Sequence, residues 1–348
     1  MSFNLNDLIR ENVKGLKPYS SARDEYVSDG SEMVFLDANE NPFENGVNRY
    51  PDPQQRTLKT LLAEQRGVAT ANILLGNGSD EVLDLLFRAF CEPKDDNIIT
   101  LPPTYGMYKV LAGINAVENK ELLLTEEYQP DVDAILNTVD FNSKLLFICS
   151  PNNPTGNLMA KEKITRLLEE FKGLVIIDEA YIDFSDAESW VSRLEEFPNL
   201  VVTQTLSKAY GMAGVRLGIC LASAEIIAVL NKIKPPYNIN ELSQQKALER
   251  VADAERVKAE ITRIKEQKSI VEKVLLSVDY VEKVYASDAN FLLLKVDDAD
   301  LRYNQLLGKG LVIRNRSSQP LCANTLRITI GTSEENIALL GVLKELEK

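Results

Sequence analysis

Thr205-Leu206-Ser207-Lys208-Ala209-Tyr210-Gly211-Met212-Ala213-Gly214-Val215-Arg216-Leu217-Gly218 follows the apolar run Leu200-Val201-Val202. The run reads as a buried strand, and the residues after it as the loop at its end. That loop holds the hydroxyls of Thr205, Ser207 and Tyr210, one amine and several glycines, with Arg216 eight positions beyond Lys208 (216 − 208). An amine can form a Schiff base with an aldehyde, while hydroxyls and a guanidinium hold a phosphate. The loop therefore suits a phosphorylated aldehyde.

On both sides of this stretch, apolar strands alternate with helices. Residues 72–75, 98–101, 144–149, 174–177 and 200–203 predict strands. Residues 79–91, a segment from about 105, and residues 161–171 predict helices. Continuously apolar strands between helices predict an α/β domain: a mainly parallel sheet covered by helices on both faces. Near Pro235-Pro236 the pattern changes, and a long charged helical segment, broken once, spans 241–277. Strands over 281–285, 291–296, 311–313 and 326–330, with helices near 301–307 and from 333, predict a smaller α+β C-terminal domain. The expected organisation is an arm over 1–30, packing on the small domain or a partner subunit, a large domain over 31–240 and a small domain over 241–348.

Bulk composition narrows the function. Of 348 residues, 45% are hydrophobic and 26% charged, as in an ordinary globular protein. The net charge of −13 disfavours nucleic acid and anionic membranes as partners. Cys91, Cys149, Cys220 and Cys322 lie in or beside apolar runs, without a paired spacing, and read as reduced buried thiols of a cytoplasmic protein. No secretory signal or membrane span is evident. Histidine is absent. That excludes Ser-His and Cys-His catalytic pairs and histidine metal ligands, so no metal site is expected, and acid–base chemistry falls to Lys, Tyr, Asp, Glu or a cofactor.

Four further strand-end loops carry polar groups suited to one ligand. Gly76-Asn77-Gly78-Ser79-Asp80-Glu81 opens a helix and can hold an anion on free N–H groups; Ser79 or Asp80 can equally be a helix cap. Tyr105, after Pro102-Pro103, can stack on a flat ring or pack on the next helix. Asn153, in Ser150-Pro151-Asn152-Asn153-Pro154-Thr155-Gly156, can donate to a ligand oxygen or only shape a turn. Asp178 can keep a pyridine nitrogen protonated or cap a helix, and Tyr181 can bond a phenolic oxygen. Together with Lys208, these groups suit pyridoxal phosphate.

With these loops the chain resembles the fold-type-I pyridoxal-phosphate aminotransferases, and within them the branch acting on histidinol phosphate. The resemblance covers nearly the whole chain. It includes Pro18-Tyr19-Ser20-Ser21-Ala22-Arg23, Leu36-Asp37-Ala38-Asn39-Glu40-Asn41-Pro42, Arg49-Tyr50-Pro51-Asp52-Pro53 and Leu326-Arg327-Ile328-Thr329-Ile330-Gly331-Thr332.

The resemblance implies these roles. Lys208 binds the cofactor and shuttles the proton; Asp178 pairs with its pyridine nitrogen. Asn153 and Tyr181 meet the phenolic oxygen, and Tyr105 stacks on the ring. Gly78, Ser79, Asp80, Thr205, Ser207 and Arg216 hold the phosphate. Tyr50 reaches the cofactor phosphate of a neighbouring subunit, implying a homodimer with shared sites. Tyr19, Asn39, Arg314 and Arg327 bind substrate, glutamate/2-oxoglutarate in one half-reaction and histidinol phosphate in the other. Surface charge is the alternative for Arg314 and, more strongly, for Arg316, and which of the two contacts substrate stays open. Phosphothreonine decarboxylation, and transamination of aromatic or other amino acids, remain alternatives on this scaffold; side chains near Tyr19, Tyr108 and 235–240 decide among them. A non-catalytic DNA-binding regulator is disfavoured, since about 30 residues precede the scaffold and a domain needs at least about 50.

Overall fold

A computed structural model describes residues 3–18 and 33–347. Seven strands form the large sheet: β1 Ile73–Asn77, β2 Asn97–Thr100, β3 Glu118–Glu121, β4 Ser143–Cys149, β5 Leu174–Asp178, β6 Leu200–Thr205 and β7 Leu217–Ala222. Their order is β1-β7-β6-β5-β4-β2-β3. Strand β7 pairs antiparallel with β1 and β6, and the other pairings are parallel.

Apolar residues run without interruption along the central strands because both faces are buried. Leu74, Phe147, Ile176, Val201 and Cys220 enter one core. Their neighbours Leu75, Ile148, Ile177, Val202 and Ile219 enter the other. Strand alternation thus divides each strand between two helical layers.

The helices are α1 Glu11–Lys14, α2 Arg56–Arg66, α3 Ser79–Phe90, α4 Met107–Ile114, α5 Val132–Thr138, α6 Lys161–Glu170, α7 Ala224–Ile233, α8 Glu241–Ala252, α9 Ala254–Leu275, α10 Ala299–Gly308 and α11 Ser333–Glu345. Helices α3, α4 and α7 bury apolar faces in one core; α2, α6 and α8 do so in the other. The expected break in the 241–277 helical segment falls at Asp253, between α8 and α9.

A second sheet, β8 Val281–Val284, β9 Phe291–Val296, β10 Arg314–Asn315 and β11 Thr325–Thr329, is antiparallel in the order β10-β11-β9-β8. It shares a third core with α9, α10 and α11.

Three details differ from the sequence expectation. Strands β3 and β7 were not anticipated: β3 is a polar edge strand without alternation, and β7 starts within the last residues of the glycine-containing stretch that reads as ligand loop. The strand expected over 311–313 begins at Arg314, and Val312 is exposed. The start of the arm packs beside the large sheet. Leu8, Ile9 and Val13 join the core beneath α3 and α7, and the Arg10 N–H donates to Ala89 O at 3.1 Å.

Topology positions the site. The parallel strands end at one edge of the sheet. Because β7 runs the opposite way, its first residues lie at that same edge: Leu217 pairs with Asn77, and Gly218 with Thr205. Arg216 is thereby delivered beside the strand-end loops, as expected for a ligand crevice in an open α/β sheet.

Candidate active site

A cavity of about 490 Å³ opens at this edge, between the large sheet and β10–β11. Its lining includes Ser79, Asp80, Tyr105, Asn153, Asp178, Tyr181, Thr205, Ser207, Lys208, Arg216, Arg314 and Arg327, all expected from the sequence. The volume lies in the range of small-molecule sites. Among the described residues, five cationic side chains and two carboxylates line it, within a protein of net charge −13. Such a local excess suits anionic ligands.

One end offers groups that can hold an anion. Helix α3 begins at Ser79, and its cap position is Gly78, with no side-chain cap. Ser79 and Asp80 are therefore first-turn residues, leaving that turn's N–H groups for an anion. Gly78 has φ +84°, and a β-carbon there would stand 2.7 Å from Arg216 Nη2. The missing side chain is what admits the guanidinium. Gly218 meets the helix start still more closely, since its β-carbon would lie 2.4 Å from the Ser79 nitrogen. Arg216 also approaches Asp80 at 3.9 Å, and the Ser207 N–H donates to Thr205 Oγ1 at 3.1 Å.

The floor is formed by Asp178, the last residue of β5 and almost fully buried. It is not a helix cap, because the following turn is capped by Tyr181. Tyr108 OH donates to Asp178 Oδ2 at 2.7 Å, and the Ala180 N–H to Oδ1 at 3.2 Å. Burial pushes the Asp178 carboxyl above the usual carboxylate range, and these two donors oppose that rise. A cationic N–H partner would restore the carboxylate.

The walls are tyrosine and amide. Tyr105 OH donates to Asp80 Oδ1 at 3.0 Å, and its ring stands edge-on to Tyr108, centroids 5.6 Å apart. Tyr105 thus both packs toward the next helix and faces the cavity. Asn153 Nδ2 donates to Tyr181 OH at 3.5 Å, and Arg327 Nη1 donates to Asn153 Oδ1. Lys208 Nζ lies 5.7 Å from the Tyr181 ring centroid. Desolvation by the walls, then Arg327, and more weakly Arg216, hold the Lys208 amine below the usual lysine range; Asp178 opposes them. A free amine is the nucleophilic form.

The far end carries Arg314 and Arg327, which face each other across β10 and β11. Like charges directly opposite repel, so the pair calls for an anion between them. Arg316, for which surface charge and a substrate contact were both open, also lines this end, as does Gln319. The alternation of β10 carries the signal for Arg316, since residues two apart share a face.

Other expectations fall elsewhere. Tyr19 lies outside the described residues. Asn39 and Tyr50 are not brought to this cavity. They line a second one, of about 550 Å³, where Tyr50 stacks on Tyr237 at 4.6 Å. Tyr108 itself is fully buried and bonded to Asp178. No local sequence signal marks it, because the contact depends on α4 crossing the sheet.

These groups fit pyridoxal phosphate: a capless helix start with Arg216 for the phosphate, buried Asp178 for the ring nitrogen, and an amine between them.

The profile of the family "Aminotransferase class I and II" matches residues 32–343. The histidinol-phosphate aminotransferase of Flavobacterium johnsoniae is 65% identical over 346 residues, covering 99% of both chains. Among solved structures, the histidinol-phosphate aminotransferase of Clostridium acetobutylicum has a TM-score of 0.80 at 26% identity, covering 86% of this chain and 91% of that one. That of Sinorhizobium meliloti, solved in complex with pyridoxal 5'-phosphate, superposes with a TM-score of 0.77 at 22% identity, covering 86% and 83%.

Proposed function

The chain belongs to the class I and II aminotransferases, and from this we propose that it is a pyridoxal-phosphate enzyme exchanging an amino group between L-glutamate and imidazole-acetol phosphate. The products are 2-oxoglutarate and L-histidinol phosphate, a step of histidine biosynthesis. The observation that carries the reading is the Lys208 amine standing in one cavity with two separate anion-binding ends. The Flavobacterium johnsoniae relative supports the choice of substrate.

Ser79, the Asp80 N–H, Thr205, Ser207 and Arg216 would hold the cofactor phosphate, with Gly78 leaving room for Arg216. Asp178 would face the ring nitrogen, Asn153 and Tyr181 the phenolic oxygen, and Tyr105 the ring face. When bound, the cofactor supplies an electron sink for the substrate carbon. Lys208 Nζ holds and returns the proton there, helped by walls that already favour its neutral form. Arg314 and Arg327 orient the substrate by its anionic group.

The division into a cofactor domain over 31–240 and a small domain over 241–348 is part of the same proposal. So is a homodimer: Asn39 and Tyr50 line a cavity that does not include their own Lys208, and in the same part of the chain Val34, Leu36, Phe43 and Val47 are exposed. A cytoplasmic location, with no nucleic-acid or membrane partner, fits the acidic charge, and among the described residues no helix is long and apolar enough to cross a membrane.

Lys208→Ala tests the assignment. The variant should retain the cofactor yet lose transamination by about 100-fold or more. Near-normal turnover would sink the role of Lys208.

A further inference from the structure

Arg316 does not behave as a surface charge. Its backbone N–H donates to Thr325 O at 2.8 Å, extending the β10–β11 pairing by one step. It therefore shares a strand face with Arg314, which stands opposite Arg327. The turn beyond is pinned, with the Gln319 N–H on Arg316 O and the Ser317 N–H on Asn315 Oδ1, both 2.9 Å. The guanidinium is thus presented to the cavity from a fixed backbone.

One of its polar atoms has no partner among the described residues. Arg316 Nε and Arg327 Nε are both buried and donate to nothing among the described residues. Neither arginine forms an ion pair there. Burial first, then Arg327 and Arg314, push the Arg316 guanidinium down to about 10, with Tyr181 and Cys322 acting against them.

Holding three guanidiniums together without a counter-charge is costly unless a ligand supplies it. One carboxylate satisfies one bidentate fork. A phosphate monoester carries about −1.5 to −2 charges at neutral pH on three terminal oxygens, and serves several forks at once. We propose that Arg316 is a third guanidinium of the substrate-anion site, and that it sets a preference for a dianionic phosphate ester over a carboxylate. The assignment rests on the reaction proposed above.

Arg316→Gln and Arg316→Lys, prepared as cofactor-saturated enzyme, test it. In Arg316→Gln, kcat/KM should fall at least about tenfold more for L-histidinol phosphate than for L-glutamate, chiefly through KM. The Ki of inorganic phosphate, competing against glutamate, should rise by a similar factor. Arg316→Lys, which keeps the charge without the fork, should lie between wild type and Arg316→Gln. Equal losses for both substrates, or an unmoved phosphate Ki, would overturn the assignment. If the unaltered enzyme ignores histidinol phosphate, the reaction proposal fails separately. The phosphate Ki then decides alone: a rise in Arg316→Gln keeps the anion site, and no rise removes it.

Discussion

Tyr108 OH donates a 2.7 Å hydrogen bond to Oδ2 of Asp178, and both residues are buried. Burial drives the carboxyl toward its neutral form, and this donor is the largest influence against that. The Tyr108 ring is itself fixed by stacking on Phe147 at 4.8 Å.

Tyr108→Phe should therefore weaken Asp178 as the anionic partner of a ring nitrogen while leaving the stacked ring in place. Hydrogen bonds to charged groups contribute about 1.5–3 kcal/mol. Steady-state kinetics should show kcat/KM lowered roughly tenfold or more for both substrates alike. Unchanged kinetics would mean that Asp178 needs no help from below.

Gly218→Ala forces a β-carbon against backbone, 2.4 Å from the Ser79 nitrogen and 2.5 Å from the Gly78 carbonyl carbon. Neither neighbour is a flexible side-chain tip, so the start of α3 must shift. Overpacking of this kind costs about 1–3 kcal/mol. Titration with pyridoxal phosphate should show affinity weakened by about tenfold or more. Wild-type affinity would place the phosphate elsewhere than at this helix start.

The pH dependence of Lys208 is set by its neighbours. Its amine is protonated below its pKa and nucleophilic above it. Because that pKa lies below the usual lysine value, capture of pyridoxal phosphate by the apoprotein should rise with pH through a midpoint below about 10.4. Arg327 is the strongest positive neighbour acting on it. Arg327→Gln should move the midpoint to higher pH, as stopped-flow absorbance would record. A shift to lower pH would contradict the repulsion.

Much of the fold and site is legible in the chain because it depends on local pattern. Runs such as Leu145-Leu146-Phe147-Ile148 are apolar throughout since both sheet faces are covered, and a strand-end Asp178 or Lys208 stands out against them. Asp253 breaks the long helical segment much as a helix-poor position would. Three things are not legible. β7 runs backward, and its role, delivering Arg216 to the loop edge, is a property of topology. The Tyr108–Asp178 bond joins residues 70 apart through the sheet floor. Arg316 reads as one charge among many; its unpartnered Nε exists only once β10 and β11 pair.

The most direct test is the absorption spectrum of the purified protein with pyridoxal phosphate, before and after L-histidinol phosphate is added. A visible band from lysine-bound cofactor should form, then give way to the near-ultraviolet band of the aminated cofactor. Both changes should be absent in Lys208→Ala. A band that forms but ignores histidinol phosphate would contradict the substrate assignment while keeping Lys208. No band at all would contradict the cofactor site itself.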